Sequence, residues 1–308
     1  LMRESQMKKI IAAAVATAFV APAFAADVSI SGYMEMALAD ETTATTSSKS
    51  IQEDGTVTIK ATEELANGMT VSADFLLSGA IGDDGGSSLT LSGEFGTVDL
   101  GETSGAIDSI DDKGDLFKVI DNGISAVSTD AAVNWKLPTF VEGLTVVAAY
   151  SPENGDDNTI NTEALGSTYV NQAGSLSDDV SGISARYSFG SVTVAYGQET
   201  VGTTDNTDFN VQYSSGPIFV SHEVATSETT AGVETDYTST AFAYSMGDTK
   251  LIIGNKKTDS LTATSDRDLT SYGIQHSIGG LTLFAETSSE DKATTKHEGT
   301  YVGAAFTF

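Results

Sequence analysis

The sequence predicts an all-β fold, a sixteen-stranded antiparallel transmembrane β-barrel with an inward-folded third loop. Three observations carry that expectation. Apolar and polar residues alternate with period two through most of the chain beyond residue 26, as in strands with two unlike faces. Tight turns alternate with longer, polar, acidic connections, so the two rims of the sheet should differ. Beyond the amino terminus, no apolar stretch approaches the roughly 20 residues a spanning helix needs. Stacked soluble sandwiches also have short strands and regular turns, but their connections do not segregate by length in this way.

The amino terminus stands apart. Met7, Lys8 and Lys9 precede the small apolar run Ile10 to Val20, followed by Ala21, Pro22, Ala23, Phe24 and Ala25. A basic flank, a short apolar run and an A-x-A site read as a cleaved secretory signal peptide over 7–25. That leaves 26–308 as the barrel.

The first strand covers about 27–39, with Val28, Ile30, Met34, Met36 and Leu38 on one face and Ser29, Ser31, Tyr33 and Glu35 on the other. The second, about 51–61, sets Val57 and Ile59 outward and Thr58 and Lys60 inward. The third, about 69–78, opposes Val71, Ala73, Phe75 and Leu77 to Thr70, Ser72 and Asp74. A hairpin over 88–101 follows, then 129–137 with Val133, Trp135 and Leu137 outward, then 144–150. Four hairpins repeat the pattern at 183–199, 209–224, 237–257 and 268–287, and the last strand covers 297–308. Strand-end aromatics (Phe75, Tyr150, Phe189, Tyr213, Phe219, Tyr244, Phe284, Tyr301 and Phe306) are candidates for interfacial girdles. An even strand number brings both chain ends to one rim, and closure pairs every backbone group that faces lipid.

One connection is unlike the others. Residues 102–121 interleave Glu102, Asp108, Asp111, Asp112, Asp115 and Asp121 with Ile107, Ile110, Leu116, Phe117 and Ile120. Connections longer than about 12–15 residues are usually functional or disordered. Disordered segments carry few bulky apolar groups. This one is therefore expected to pack into the lumen, presenting carboxylates and narrowing it.

Composition excludes several function classes. The formal net charge is −28, which disfavours nucleic acid as a partner, since that ligand rewards basic patches. There is no Cys, and His222, His276 and His297 are the only histidines. None lies in a zinc-protease, nucleophile-elbow or phosphate-loop pattern. No catalytic residue and no cofactor are expected. A surface adhesive or structural barrel, or an outer-membrane barrel enzyme, is the alternative. Sixteen strands leave an aqueous lumen, which favours a pore.

The hairpin Leu91-Ser92-Gly93-Glu94-Phe95-Gly96-Thr97-Val98-Asp99-Leu100-Gly101, running into Ser104, Gly105 and Ala106, resembles the LSG-x-FG segment of Gram-negative general porins, especially the alphaproteobacterial type. The carboxyl-terminal run from Tyr301 to a final Phe308 is similar to the strand that family presents to the outer-membrane assembly machinery. The resemblance implies an outer-membrane homotrimer embedded in lipid, passing small hydrophilic solutes and ions by passive diffusion. It also implies a constriction at the third loop, 102–128 here, with loop acids facing wall bases. Those acids are Glu102, Asp108, Asp111, Asp112 and Asp115.

By alternation, Lys60, Lys136, Arg186, Lys250, Lys256 and Arg267 point inward, with Glu35, Asp74, Glu94 and Asp99. Lys60, Lys136 and Lys250 lie near tight turns, and so near the periplasmic rim. Carboxylate rings favour cations in a pore, so a cation-selective channel is expected. Asp83 and Asp84 are the Ca²⁺ candidates among the acidic loops, without a full EF-hand pattern.

Overall fold

The computed structural model describes residues 26–43, 45–78, 87–110, 116–121, 124, 130–152, 179–261, 266–292 and 295–308. The first half of the wall is β1 Asp27–Thr42, β2 Ser47–Glu64, β3 Thr70–Ser78, β4 Ser87–Gly93, β5 Gly96–Ser104, β6 Asp130–Lys136, β7 Leu144–Ser151 and β8 Val180–Phe189. The second half is β9 Val192–Val201, β10 Thr204–Ser215, β11 Ile218–Thr229, β12 Glu234–Met246, β13 Thr249–Ser260, β14 Arg267–Ile278, β15 Leu281–Lys292 and β16 Thr295–Thr307. Each strand pairs antiparallel with the next, and β16 pairs back onto β1, so the sheet closes as the strand count required. Beyond the last strand, Phe308 and Gly32 exchange both backbone hydrogen bonds at 3.0 Å.

The two faces divide as the alternation demands. Every strand exposes a large apolar side chain on its outer face, among them Ile30, Ile51, Phe75, Trp135, Ile183, Phe209, Phe242, Tyr272 and Val302. An apolar surface of this extent belongs in lipid rather than water. The inner face carries small and polar groups such as Ser184, Asn210, Ser221, Glu223, Ser239 and Ser271. Tyr33 and Leu76 are inward-facing exceptions, opposite Thr56 and Thr58.

Several sequence expectations need correction. The strands are longer than the alternation marked. Thr204–Asp208 belongs to β10, and only Gly202 and Thr203 separate it from β9. Alternation fades there because outward positions are polar too, at Asp205 and Thr207, while β-branched Thr still suits a strand. The connections longer than six residues therefore fall in the first half of the wall, at 79–86, 105–129, 137–143 and 152–179. Glu94 sits in the turn between β4 and β5, not on the wall. Phe219, Phe284 and Tyr301 point inward rather than into a girdle. They share faces with Ser221, Glu286 and Gly303 and pack in clusters with loop residues. The signal-peptide segment 7–25 and the Ca²⁺ candidates Asp83 and Asp84 lie outside the described residues.

Candidate functional site

The candidate site is built where the β5–β6 connection meets the wall. Its apolar residues make it a folded element. Ala106, Ile107, Ile110, Phe117, Ile120 and Ile124 are all buried, and full burial stabilises each of the larger side chains by about 1.5–3 kcal/mol relative to exposure. Ile107 and Ile124 pack with Ala225 and Tyr237. Phe117 and Ile120 pack with Ala243, Ile252, Phe219, Leu269 and Tyr301. Val119 reaches Ala37, Phe284 and Ala305. A connection that leaves the sheet at β5 thus touches the inner faces of β11 to β16 and of β1.

The wall leaves room for it by omitting side chains. A Cβ at Gly197 would stand 2.9 Å from Ile107 Cγ1, and one at Gly273 would stand 3.1 Å from two Phe117 ring carbons.

Polar groups fix the position. The Ala106 N–H donates to Glu199 Oε2 at 2.8 Å. The N–H groups of Lys118 and Val119 donate to the two Glu286 carboxylate oxygens at 2.6 and 3.0 Å. Gln275 Nε2 donates to the Leu116 carbonyl at 2.8 Å. Asn134 Nδ2 donates to the Ser104 carbonyl at 2.8 Å and to Ser109 Oγ. None of Glu199, Glu286, Gln275 and Asn134 was singled out from the sequence. Their only signal there was a polar side chain on the inward register of a strand, which many other residues of the wall share.

The sequence-predicted residues divide. Among the loop acids, Asp108 is exposed, Glu102 belongs to β5, and Asp111, Asp112 and Asp115 lie outside the described residues. Asp121 pairs with Lys256 at 3.1 Å, joining loop to wall. Lys60 pairs with Asp74 on the neighbouring strand at 3.2 Å, and with no described residue of the loop. Lys250 faces inward two residues from the β12–β13 turn, in register with Gln275. Arg186 is inward on β8, opposite Thr145. Asp99 accepts a hydrogen bond from Thr90 Oγ1. Asp99 and Lys136 line one recess of about 360 Å³ between the β4–β7 wall and the start of the loop.

Glu199, Asp208, Glu223 and Glu286 all face inward, yet each is at most 2% exposed. These carboxylates are withdrawn from lumen water and contribute less to a permeating ion than a sum over the sequence assumes. Among the described residues no group of three or more His, Cys, Asp or Glu is arranged to hold a metal ion.

The sequence profile of the Gram-negative porin family matches residues 12–276. The anion-selective porin from Comamonas acidovorans superposes with a TM-score of 0.67 at 16% identity, covering 92% of this chain and 100% of that one. A loop-deletion mutant of OmpT, an outer membrane protein of Vibrio cholerae, gives 0.69 at 16% identity, with 92% and 100% covered. Salmonella typhi OmpF in complex with daunomycin gives 0.68 at 12% identity, with 92% and 98% covered. No curated protein sequence matches the chain. At such identities the solved structures speak to the fold alone. The family match runs from the amino-terminal segment into β14, taking in the hairpin, the β5–β6 connection and most of the wall, and so the chain belongs to the Gram-negative porin family.

Proposed function

We propose that this porin is a cation-preferring diffusion channel of the alphaproteobacterial general type, narrowed by the β5–β6 loop and assembled as a homotrimer. Small hydrophilic solutes and ions cross it without a chemical step and without a cofactor. Residues 7–25 direct export and are removed, 26–308 form the barrel, and 102–128 form the constriction. The strand ending at Phe308 is the segment offered to the assembly machinery.

The observation that carries this reading is a closed wall, apolar outside and polar inside, with a loop anchored across the inner face by Glu199, Gln275 and Glu286. Backbone groups in lipid are all paired, and the polar inner face suits water. With four wall carboxylates buried, the cation preference rests on the loop acids Glu102, Asp108, Asp111, Asp112 and Asp115. Rings of carboxylates at a constriction concentrate cations.

The trimer is supported by an outward acid. Glu53 lies on β2 between Ile51 and Gly55, opposite Met36. Its side chain is exposed and has no hydrogen-bond or ionic partner among the described residues. A carboxylate at such a place disfavours lipid contact and favours cover by protein. Beside it runs an outer groove of about 430 Å³, lined by Met34, Val57, Leu77 and Phe308. One of the similar solved structures, OmpT of Vibrio cholerae, is a trimer form.

The test is the reversal potential in a planar bilayer under a KCl gradient, with Asp108, Asp111, Asp112 and Asp115 changed together to Asn. Wild type is expected to favour K⁺, and the variant to lose that preference. Anion preference in wild type would overturn the selectivity but keep the channel.

A further inference from the structure

The recess shared by Asp99 and Lys136 has the character of a binding site rather than of plain pore wall. Its sides are the inner faces of β4 to β7, and its roof is the start of the loop. Asn134 holds that roof down through Ser104 and Ser109. Ser88, Ser104, Ser109 and Thr145 give it a hydroxyl lining. Asp99 and Lys136 stand on neighbouring strands two residues out of register, since Asp99 opposes Asn134 and Thr97 opposes Lys136. Both face the recess, yet they form no ion pair with each other. Among the described residues the Lys136 ammonium has no hydrogen-bond or ionic partner, and Asp99 holds one hydroxyl, that of Thr90, through Oδ1.

We propose that this recess transiently retains small zwitterions of the α-amino-acid class, with the carboxylate at Lys136 and the ammonium at Asp99. The proposal rests on the channel reading for its access to solute. An isolated anion gains Lys136 but meets Asp99, an isolated cation meets the reverse, and an uncharged polyol gains neither charge-assisted bond. A zwitterion bridges both, and hydrogen bonds to ionised groups are the stronger class. A volume of 360 Å³ falls at the low end for small-molecule sites, enough for a few heavy atoms and their water at about 30 Å³ per water. Weak retention suits conduction, because a pore site must release what it admits.

Saturation-transfer NMR on the folded barrel in nanodiscs tests this with three probes: L-serine, D-glycerate and erythritol. Wild type, Lys136→Gln and Asp99→Asn are compared, with folding verified by the mobility of unheated samples on gels. Wild type should transfer saturation to L-serine well above erythritol. Each substitution should weaken the L-serine signal by about ten-fold, equivalent to roughly 1.4 kcal/mol. D-glycerate should weaken with Lys136→Gln but not with Asp99→Asn. An L-serine signal equal to that of erythritol, or unchanged in both variants, overturns the site. Unitary conductance without solute separates the two readings. A barrel that conducts but does not hold L-serine loses only this site, and one that holds L-serine but does not conduct loses the channel.

Discussion

At the scale of the residue, Glu286 does more to hold the loop than any ion pair among the described residues. Its two oxygens take the N–H groups of Lys118 and Val119 in a position only 2% exposed. A hydrogen bond to a charged group contributes about 1.5–3 kcal/mol, and a buried donor left without a partner costs a similar amount. The Lys256–Asp121 pair keeps Asp121 64% exposed, and exposed pairs contribute about 1 kcal/mol at most. Glu286→Ala should therefore speed hydrogen exchange at Lys118 and Val119 by ten-fold or more, at about 1.4 kcal/mol per decade, while Lys256→Met should change it little. Equal effects from both would contradict this ranking.

At the scale of the element, the loop and the wall fit by complementary size. Gly273 leaves the space that the Phe117 ring takes. Gly273→Val is expected to lift the loop tip and speed tryptic cleavage after Lys118 in the folded barrel. Cleavage as slow as in wild type would show that the seat does not depend on that contact. The strands were legible because lipid outside and water inside impose period two, and that local signal needs no partner. The loop's packing was legible from composition and length alone, since Ile107, Ile110, Leu116, Phe117 and Ile120 are too many bulky apolar groups for a solvated connection. Its anchors were not, because Glu199 and Glu286 lie 93 and 168 residues from the N–H groups they accept. Phe219, Phe284 and Tyr301 were misplaced by their residue type, although their register gave the right face. Each alternates with an outward apolar neighbour, respectively Val220, Leu283 and Val302.

At the scale of the whole molecule, the net charge of −28 divides into populations with different roles. Some carboxylates are buried against the loop, as at Glu199 and Glu286. Others face outward near the rim, where Asp40 pairs with Lys49 and Asp268 with Lys257. Only the remainder meet a permeating ion, so total acidity was a poorer guide to selectivity than position is. The outer groove beside Glu53 carries the prediction on assembly. Gly55→Trp fills that groove and should convert a trimer to monomers in native mass spectrometry while the barrel stays folded. An unchanged trimer mass would place the subunit contact elsewhere on the wall.

The central claim is that water and ions pass through this barrel and that the β5–β6 loop sets the width of their path. Single-channel conductance in a planar bilayer, for wild type and for Phe117→Asp, tests it most directly. Replacing Phe117 puts a charge into the apolar cluster with Ala243 and Ile252 and should release the loop from the wall. Wild type is expected to conduct in uniform steps, and Phe117→Asp in larger ones. A folded, inserted wild-type barrel that does not conduct, or a variant with unchanged steps, would contradict the account.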